Sequence, residues 1–168
     1  MDAALVNGFI GSAQRVLQSE VGEPINIGQV AVQTVPYTSQ DVTTIIGVTG
    51  SVEGVLMFGL SESTAKQIVS HMMGQEVETF DELAQSGIAE LGNVIAGTAV
   101  TELADNGHVC TIAPPTLIIG RGTTISTVDI KRLVIPLVTS CGMVEMQVAL
   151  KFNGHKTMPT VAKTAVMR

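Results

Sequence analysis

The sequence has few aromatic side chains, few basic side chains and only two cysteines. Aromatic residues make up 3% of the 168 residues, and tryptophan is absent. Aliphatic residues and methionine must therefore form the hydrophobic core. A chain of this length buries about 68–70% of its unfolded surface, so it needs neither a disulfide nor a metal to fold. We expect one domain, followed by a polar tail or linker over residues 153–168.

The shortage of basic residues limits the possible partners. Lysine and arginine number 9 against 15 acidic residues, and the net charge is −6. Nucleic acids and anionic membrane surfaces both attract lysine and arginine, so we expect neither as a partner. No apolar run approaches the roughly 18 residues that span a bilayer, and the first residues lack the features of a secretory signal.

The two cysteines indicate the compartment. Cys110 and Cys141 stand alone in apolar, strand-like segments. This placement is typical of buried thiols in a reducing environment, where disulfides are rare. We therefore expect a cytoplasmic protein with two free thiols.

The order of helical and strand-like patterns predicts an α+β fold. Short connections between the strand-like segments favour an antiparallel sheet packed with long helices. Ser61 or Ser63 is the expected N-cap of the second helix, and Gly74 its C-terminal stop. Pro136 indicates an edge strand or a bulge. The predicted helices cover about 2–19, 61–74 and 80–107, and the predicted strands cover 25–35, 41–50, 51–60, 108–113, 116–120, 123–140 and 142–152.

The two halves of the chain share a weak internal repeat. Residues 7–17 match residues 93–103 as Asn, three residues, Gly, a hydroxyl residue, Ala, three residues, Leu. Residues 50–58 similarly match 142–150. Because both matches occur at equivalent places in the order of elements, we predict a pseudo-twofold internal duplication.

The third predicted helix is apolar nearly all round except for one stripe. Successive residues of a helix are rotated by about 100°, which brings five residues onto one narrow face. The stripe carries a single charge, whereas a solvated helix edge usually carries several, yet a plain solvated edge remains an alternative. An ionised Glu90 must reach water or a cationic partner, so we expect the stripe to be exposed. The stripe consists of Ser86, Glu90, Asn93, Gly97 and Thr101.

The stripe lacks the residues of several common chemistries. His71, His108 and His155 have no metal-ligand spacing, so we expect no metal site. No glycine-rich phosphate loop follows a strand. A carboxamide such as that of Asn93 can orient a water molecule for attack on a phosphoryl group, as a glutamine does in GTPases. The neighbouring carboxylate of Glu90 suits a lysine of a partner.

The chain resembles the CheX-type chemotaxis phosphatases of the CheC/CheX/FliY family. The resemblance rests on ELGNVIAGTAVTEL at 90–103, followed by APPTLIIG at 113–120. The segments 52–74 and 5–22 also look like the strand, helix and first helix of that family. It covers residues 1–152 and implies a CheC-like α+β domain over that range.

The resemblance implies a phosphatase that acts on the aspartyl phosphate of a CheY-like receiver domain. By this analogy, Asn93 would align the hydrolytic water and Glu90 would pair with the active-site lysine of the receiver. The rest of the stripe (Ser86, Gly97 and Thr101) would contact the receiver. The receiver would bring its own Mg²⁺, so we expect no cofactor in this protein.

The resemblance also bears on the number of sites and of subunits. Asn7 matches Asn93 in the repeat, but Ala4 takes the place of Glu90, so we expect one active site per chain. The CheX branch forms dimers through its sheets, which implies a homodimer. Apolar edge-like strands such as 132–138 are available for this contact.

Two other functions remain open from the sequence. A non-catalytic adaptor would bind a response regulator or a flagellar switch component through the same stripe. A structural dimerisation module would instead bury the stripe against its own partner chain. In that module Glu90 would need a cation such as Arg15 or Lys66 beside it.

Overall fold

The computed structural model describes residues 3–154, which form an antiparallel sheet with three helices packed on one face. The α+β class predicted from the sequence is confirmed. The elements are α1 (Ala3–Val21), β1 (Asn26–Ile27), β2 (Ala31–Gln33), β3 (Tyr37–Thr38), β4 (Val42–Gly50), β5 (Val52–Leu60), α2 (Glu62–Met73), α3 (Glu82–Asp105), β6 (Cys110–Ile112), β7 (Thr116–Ile119), β8 (Thr124–Ile125), β9 (Arg132–Thr139) and β10 (Gly142–Phe152).

The main sheet is built from two hairpins that meet at its centre. Its strand order is β1-β9-β10-β5-β4-β6, with β2 also paired to β9 and β7 also paired to β4. The sequence predicted seven strands and residues 3–154 contain ten, because the segments 25–35 and 123–140 each divide into two strands and β3 was missed. Strand β3 pairs with β8 in a separate two-stranded sheet. Strands of two or three residues are too short to leave an alternating pattern.

The hydrophobic core lies between the main sheet and the helices. Alternate residues of each strand face the helices, such as Leu56 and Phe58 on β5 and Val144, Met146 and Val148 on β10. They pack in one cluster with Phe9 and Leu17 of α1, Ile68 of α2 and Ile95 of α3. Aliphatic residues and methionine dominate this cluster, as the composition predicts.

Pro136 lies at an interruption of the sheet. Pro136 lies on β9, and the prediction that this is an edge strand is wrong. Strand β10 pairs with β9 on one side, and β1 and β2 pair with it on the other. The backbone N–H of Gly28 donates to the carbonyl of Pro136 at 2.8 Å. The missing N–H of Pro136 points to that same side, between β1 and β2, where the ladder is broken. The predicted irregularity is therefore present, and β1 and β2 cover the edge that was proposed for a dimer.

The predicted repeat has a counterpart in the register of the central strand pair. Aligning Gly50 with Gly142 makes Leu56 equivalent to Val148. These two residues are direct partners across β5 and β10, which is the arrangement that a twofold axis between them requires. Gly50 and Gly142 also both have positive φ angles, of 121° and 130°. The duplication itself stays a prediction.

Local signals define the ends of the helices beside the stripe. The Ser61 side chain accepts a hydrogen bond from the N–H of Thr64, and Gly74 ends α2 in a left-handed conformation, as predicted. Helix α3 begins two residues later than predicted, because Asp81 is its N-cap and accepts from the N–H of Ala84. The two helices are thus joined by residues 74–81.

Both cysteines are free. Cys141 is buried, and this burial raises the pKa of its thiol, whereas Cys110 is only half-buried.

The predicted tail lies almost wholly outside the described residues, which include only Asn153 and Gly154 of it. Within residues 3–154, no helix combines the length and the apolar character that crossing a membrane requires.

Gly54 is required by the central strand pair, and its replacement by alanine tests this pairing. Its φ is 142°, and an added Cβ would lie 2.0 Å from the carbonyl oxygen of Ala149 on β10. We expect Gly54→Ala to lower the free energy of unfolding by about 3 kcal/mol, since backbone strain and a clash act together. Urea denaturation measures this value. An unchanged midpoint would contradict the register of β5 against β10.

Asp41 couples the start of α2 to Arg121, which predicts an unusual titration. Its carboxylate accepts from Arg121 and from the backbone N–H of Glu62, and these bonds lower the pKa of Asp41 to about 2. Since this pKa lies below the usual 3.8, ionised Asp41 stabilises the fold above about pH 4, and the effect is lost as the pH falls through about 2. We expect Arg121→Gln to raise the pKa of Asp41 in an NMR titration, and Lys131→Gln to leave it unchanged. A pKa insensitive to Arg121 would refute the pairing.

Candidate functional site

Helix α3 lies directly on the sheet, and a glycine permits this close packing. An added Cβ on Gly92 would lie 3.1 Å from Cγ2 of Thr44 and 3.3 Å from Cδ1 of Ile46, both on β4. On the side towards α2, a Cβ on Gly87 would lie 3.3 Å from Cγ2 of Val69. Gly92 is about 160° around the helix from Glu90. The packing of Gly92 on the sheet therefore turns Glu90 away from the core.

All five residues of the predicted stripe reach the surface on one face of α3. Ser86, Glu90 and Thr101 are exposed, and Asn93 and Gly97 are half-buried. The opposite side of the helix is buried, with Ile88, Leu91, Ile95, Ala96 and Ala99 at 6% exposure or less. The prediction that the stripe reaches the surface is confirmed. The rest of the helix is less apolar than predicted, because it also carries Glu82, Gln85, Thr98, Glu102 and Asp105.

Glu90 has no cation beside it among residues 3–154. Its carboxylate takes part in no hydrogen bond or ion pair within the described part of the chain. Arg15 pairs with Glu102, and Lys66 lies 3.7 Å from Glu62. Arg15 and Lys66, the examples given for the structural module, are therefore paired with other carboxylates, and Glu90 has no counterion within residues 3–154.

The polar groups next to Glu90 differ in their availability. The carboxamide of Asn93 and the hydroxyl of Ser86 make no hydrogen bond to any described residue. The hydroxyl of Thr101, in contrast, donates to the carbonyl of Gly97 at 2.8 Å. Asn93 lies about 60° around the helix from Glu90, one turn further along. The surface thus presents one carboxylate and one carboxamide that no residue among 3–154 engages.

Two apolar residues on the same face were missed from the sequence. Leu83 and Val94 are 60% and 42% exposed. They lie about 20° and 40° around the helix from Glu90, on the side away from Asn93. The predicted stripe consists of polar residues and Gly97 only. The helical period alone places Leu83 and Val94 beside Glu90, so their angular positions are the signal that could have found them.

The stripe can position a group but has no reactive group of its own. Neither cysteine lies on α3, and within residues 3–154 no three His, Cys, Asp or Glu side chains are grouped as metal ligands. A carboxylate can hold a cation by charge, and a carboxamide can accept and donate hydrogen bonds to a water molecule. This arrangement suits a reaction whose electrophile and metal ion come from the partner.

Gly97 has a different environment from the other two glycines of α3. An added Cβ would meet only Cδ1 of Ile112, at 3.9 Å, so the fold does not require glycine here. We expect Gly97→Ala to raise the free energy of unfolding by up to about 1 kcal/mol, the difference in helix propensity. Thermal or urea denaturation measures it. A destabilised variant would show that Gly97 serves internal packing after all.

Comparisons with known proteins place the chain in a family. Residues 42–138 match the family model described as chemotaxis phosphatase CheX. The chain is 38% identical over 122 residues to the CheY-P phosphatase CheX of Thermotoga maritima. The aligned residues cover 72% of this chain and 79% of that protein.

Solved structures share the same fold. A CheC-like superfamily protein from Shewanella sp. PV-4 is 24% identical, with a TM-score of 0.81 over 90% of this chain and 99% of that one. The CheX of a CheX–CheY–BeF₃–Mg²⁺ complex from Borrelia burgdorferi is 29% identical, with a TM-score of 0.76 over 87% of this chain and 97% of that one. On the family match and the identity to the Thermotoga protein, this chain belongs to the CheX family of chemotaxis phosphatases.

Proposed function

We propose that the protein hydrolyses the aspartyl phosphate of a CheY-like receiver domain that docks on α3. The observation that carries this proposal is the pair Glu90 and Asn93, which lie side by side on the surface face of α3 in a CheX-family chain and bond to no residue among 3–154. Ser86, Gly97 and Thr101 complete the contact surface. The protein provides positioning, and the receiver provides the phosphoryl group.

Asn93 aligns the attacking water in this proposal. Its carboxamide holds the water in line with the bond between phosphorus and the aspartate oxygen. The water oxygen forms a new bond to phosphorus while the bond to the aspartate oxygen breaks. The aspartate leaves as a carboxylate, and the protons of the water remain with the inorganic phosphate and solvent. Holding the reactants at this geometry lowers the barrier without a nucleophile from the protein.

Glu90 fixes the position of the receiver. Its carboxylate pairs with the lysine of the receiver active site, and a charge pair between two molecules sets their register. Glu90 forms no ion pair within residues 3–154, which supports this role, because no ion pair among those residues must be broken before the receiver docks.

The relatives support the choice of substrate. The Thermotoga protein is named a CheY-P phosphatase, and the Borrelia structure contains CheX, CheY, BeF₃ and Mg²⁺. We infer that this chain acts on the same kind of receiver. The Mg²⁺ belongs to the receiver, where it neutralises phosphoryl charge, and the protein needs no cofactor of its own.

We also propose a cytoplasmic homodimer. Two free cysteines accord with a reducing compartment. Val138 and Met143 are cross-strand partners on the sheet face away from the helices, and they are 44% and 47% exposed. This apolar pair offers a contact that leaves the stripe accessible. Light scattering that gives twice the mass of one 17.5 kDa chain supports the dimer.

Asn93→Ala tests the mechanism directly. We expect kcat for release of phosphate from a phosphorylated CheY-like receiver to fall by at least about 100-fold, because the water loses its alignment. Asn7→Ala is the matched control, since Asn7 is an exposed asparagine at the equivalent position of α1. We expect this control to keep the activity of the wild type.

Glu90→Gln separates docking from catalysis in the same assay. Loss of the charge pair weakens receiver binding, so KM rises more than kcat falls. If the wild-type protein binds a receiver but accelerates the decay of none, the phosphatase proposal is wrong and the adaptor function replaces it. If Asn93→Ala and Asn7→Ala are equally active, the role of Asn93 in aligning the water is rejected, while the phosphatase proposal stands.

A further inference from the structure

A shallow groove separates the end of α2 from the first turn of α3. Its volume is about 330 Å³, and its walls come from Met73, from the connection at 75–79 and from the first residues of α3. Leu83 is 60% exposed and Met73 38% exposed, while Val77 lies beneath them against the core. The exposed leucine and methionine form an apolar part of a depression that no other residue among 3–154 covers.

The groove is continuous with the proposed contact surface. Leu83 lies seven residues before Glu90, which is about 10.5 Å along the helix and about 20° around it. A standard interface buries about 800 Å² of each partner, equivalent to a disc of roughly 16 Å radius. A receiver centred on Glu90 and Asn93 therefore extends over Leu83.

The rim of the groove is acidic and not internally neutralised. Glu76 and Glu78 line it and are exposed, and neither carboxylate pairs with a cation within residues 3–154. The nearby Lys66 bonds the backbone carbonyl of Glu78 at 3.3 Å and lies beside Glu62. The surface that complements this groove has an apolar side chain next to a lysine or arginine.

We propose that the groove is a second contact region for the receiver that docks on α3. An apolar side chain of the receiver packs between Leu83 and Met73, and an adjacent basic side chain faces Glu76 and Glu78. This proposal rests on the proposed function, and it adds a determinant of affinity and of receiver choice. Hydrolysis remains with Asn93, so the groove acts on binding alone.

Leu83→Ala tests the apolar half of the groove. Because Leu83 is exposed and alanine is a good helix former, the variant keeps its fold, which circular dichroism checks. We expect KM for the phosphorylated receiver to rise about tenfold, with kcat within about twofold of the wild type. Val128→Ala is the matched control: Val128 is 74% exposed and lies on the β8–β9 connection, away from α3.

The double variant Glu76→Gln/Glu78→Gln tests the acidic half. We expect this variant to have a higher KM at low salt than the wild type. Its KM should then rise less steeply with added salt, because the charge attraction to the receiver that salt screens has been removed. Asp129→Asn removes one exposed carboxylate on the β8–β9 connection and serves as the charge control. We expect it to keep the salt dependence of the wild type.

Binding of a beryllofluoride-activated receiver distinguishes failure of this proposal from failure of the proposed function. If Leu83→Ala keeps the wild-type Kd while Asn93→Ala loses kcat, the groove proposal is overturned and the phosphatase stands. If the wild type binds the receiver without hydrolysis, the phosphatase fails, and a weaker Kd of Leu83→Ala still supports the groove. A change of molecular mass without a change of Kd would assign the groove to a second copy of the chain and overturn the proposal.

Discussion

The packing of α3 on the sheet is the constraint on which the site depends. Gly92 permits direct contact of the helix with Thr44 and Ile46, and this contact fixes the rotation of α3 about its axis. A helix turned by one residue, about 100°, would bury Glu90 and carry a large desolvation cost. The hydrophobic core therefore determines that Glu90 and Asn93 face outward. The proposed chemistry follows from core packing because the stripe needs only to be presented in a fixed orientation.

The glycines of α3 have separate roles, although all three carry the same cost in helix propensity. Gly92 and Gly87 bring the helix close to the sheet and to α2, whereas the space around Gly97 is open. A residue that lowers helix stability without serving internal packing points to an external contact. In the proposed complex, Gly97 lets the receiver backbone approach the helix beside Asn93. The same face carries Leu83 and Val94, so the surface combines the polar groups of Glu90 and Asn93 with an apolar contact area.

Much of the fold and of the site was predictable because the signals are local. The stripe follows from a 3.6-residue period, and Ser61 and Gly74 are short-range capping signals that the structure confirms. The small β3–β8 sheet and the pairing of β1 and β2 with β9 were missed, since they depend on contacts between distant segments. Leu83 and Val94 could have been found, because the helical period within α3 places both beside Glu90. Membership of the CheX family follows from the comparisons, and the roles of Glu90 and Asn93 remain proposals.

The structure of this protein bound to a beryllofluoride-activated receiver tests the central claim most directly. We expect Asn93 to enter the receiver active site within hydrogen-bonding reach of the water position opposite the aspartate oxygen, and Glu90 to contact the active-site lysine. The helix face would then be covered from Leu83 to Thr101. A complex in which the receiver contacts another surface and leaves Glu90 and Asn93 exposed to solvent would contradict the account.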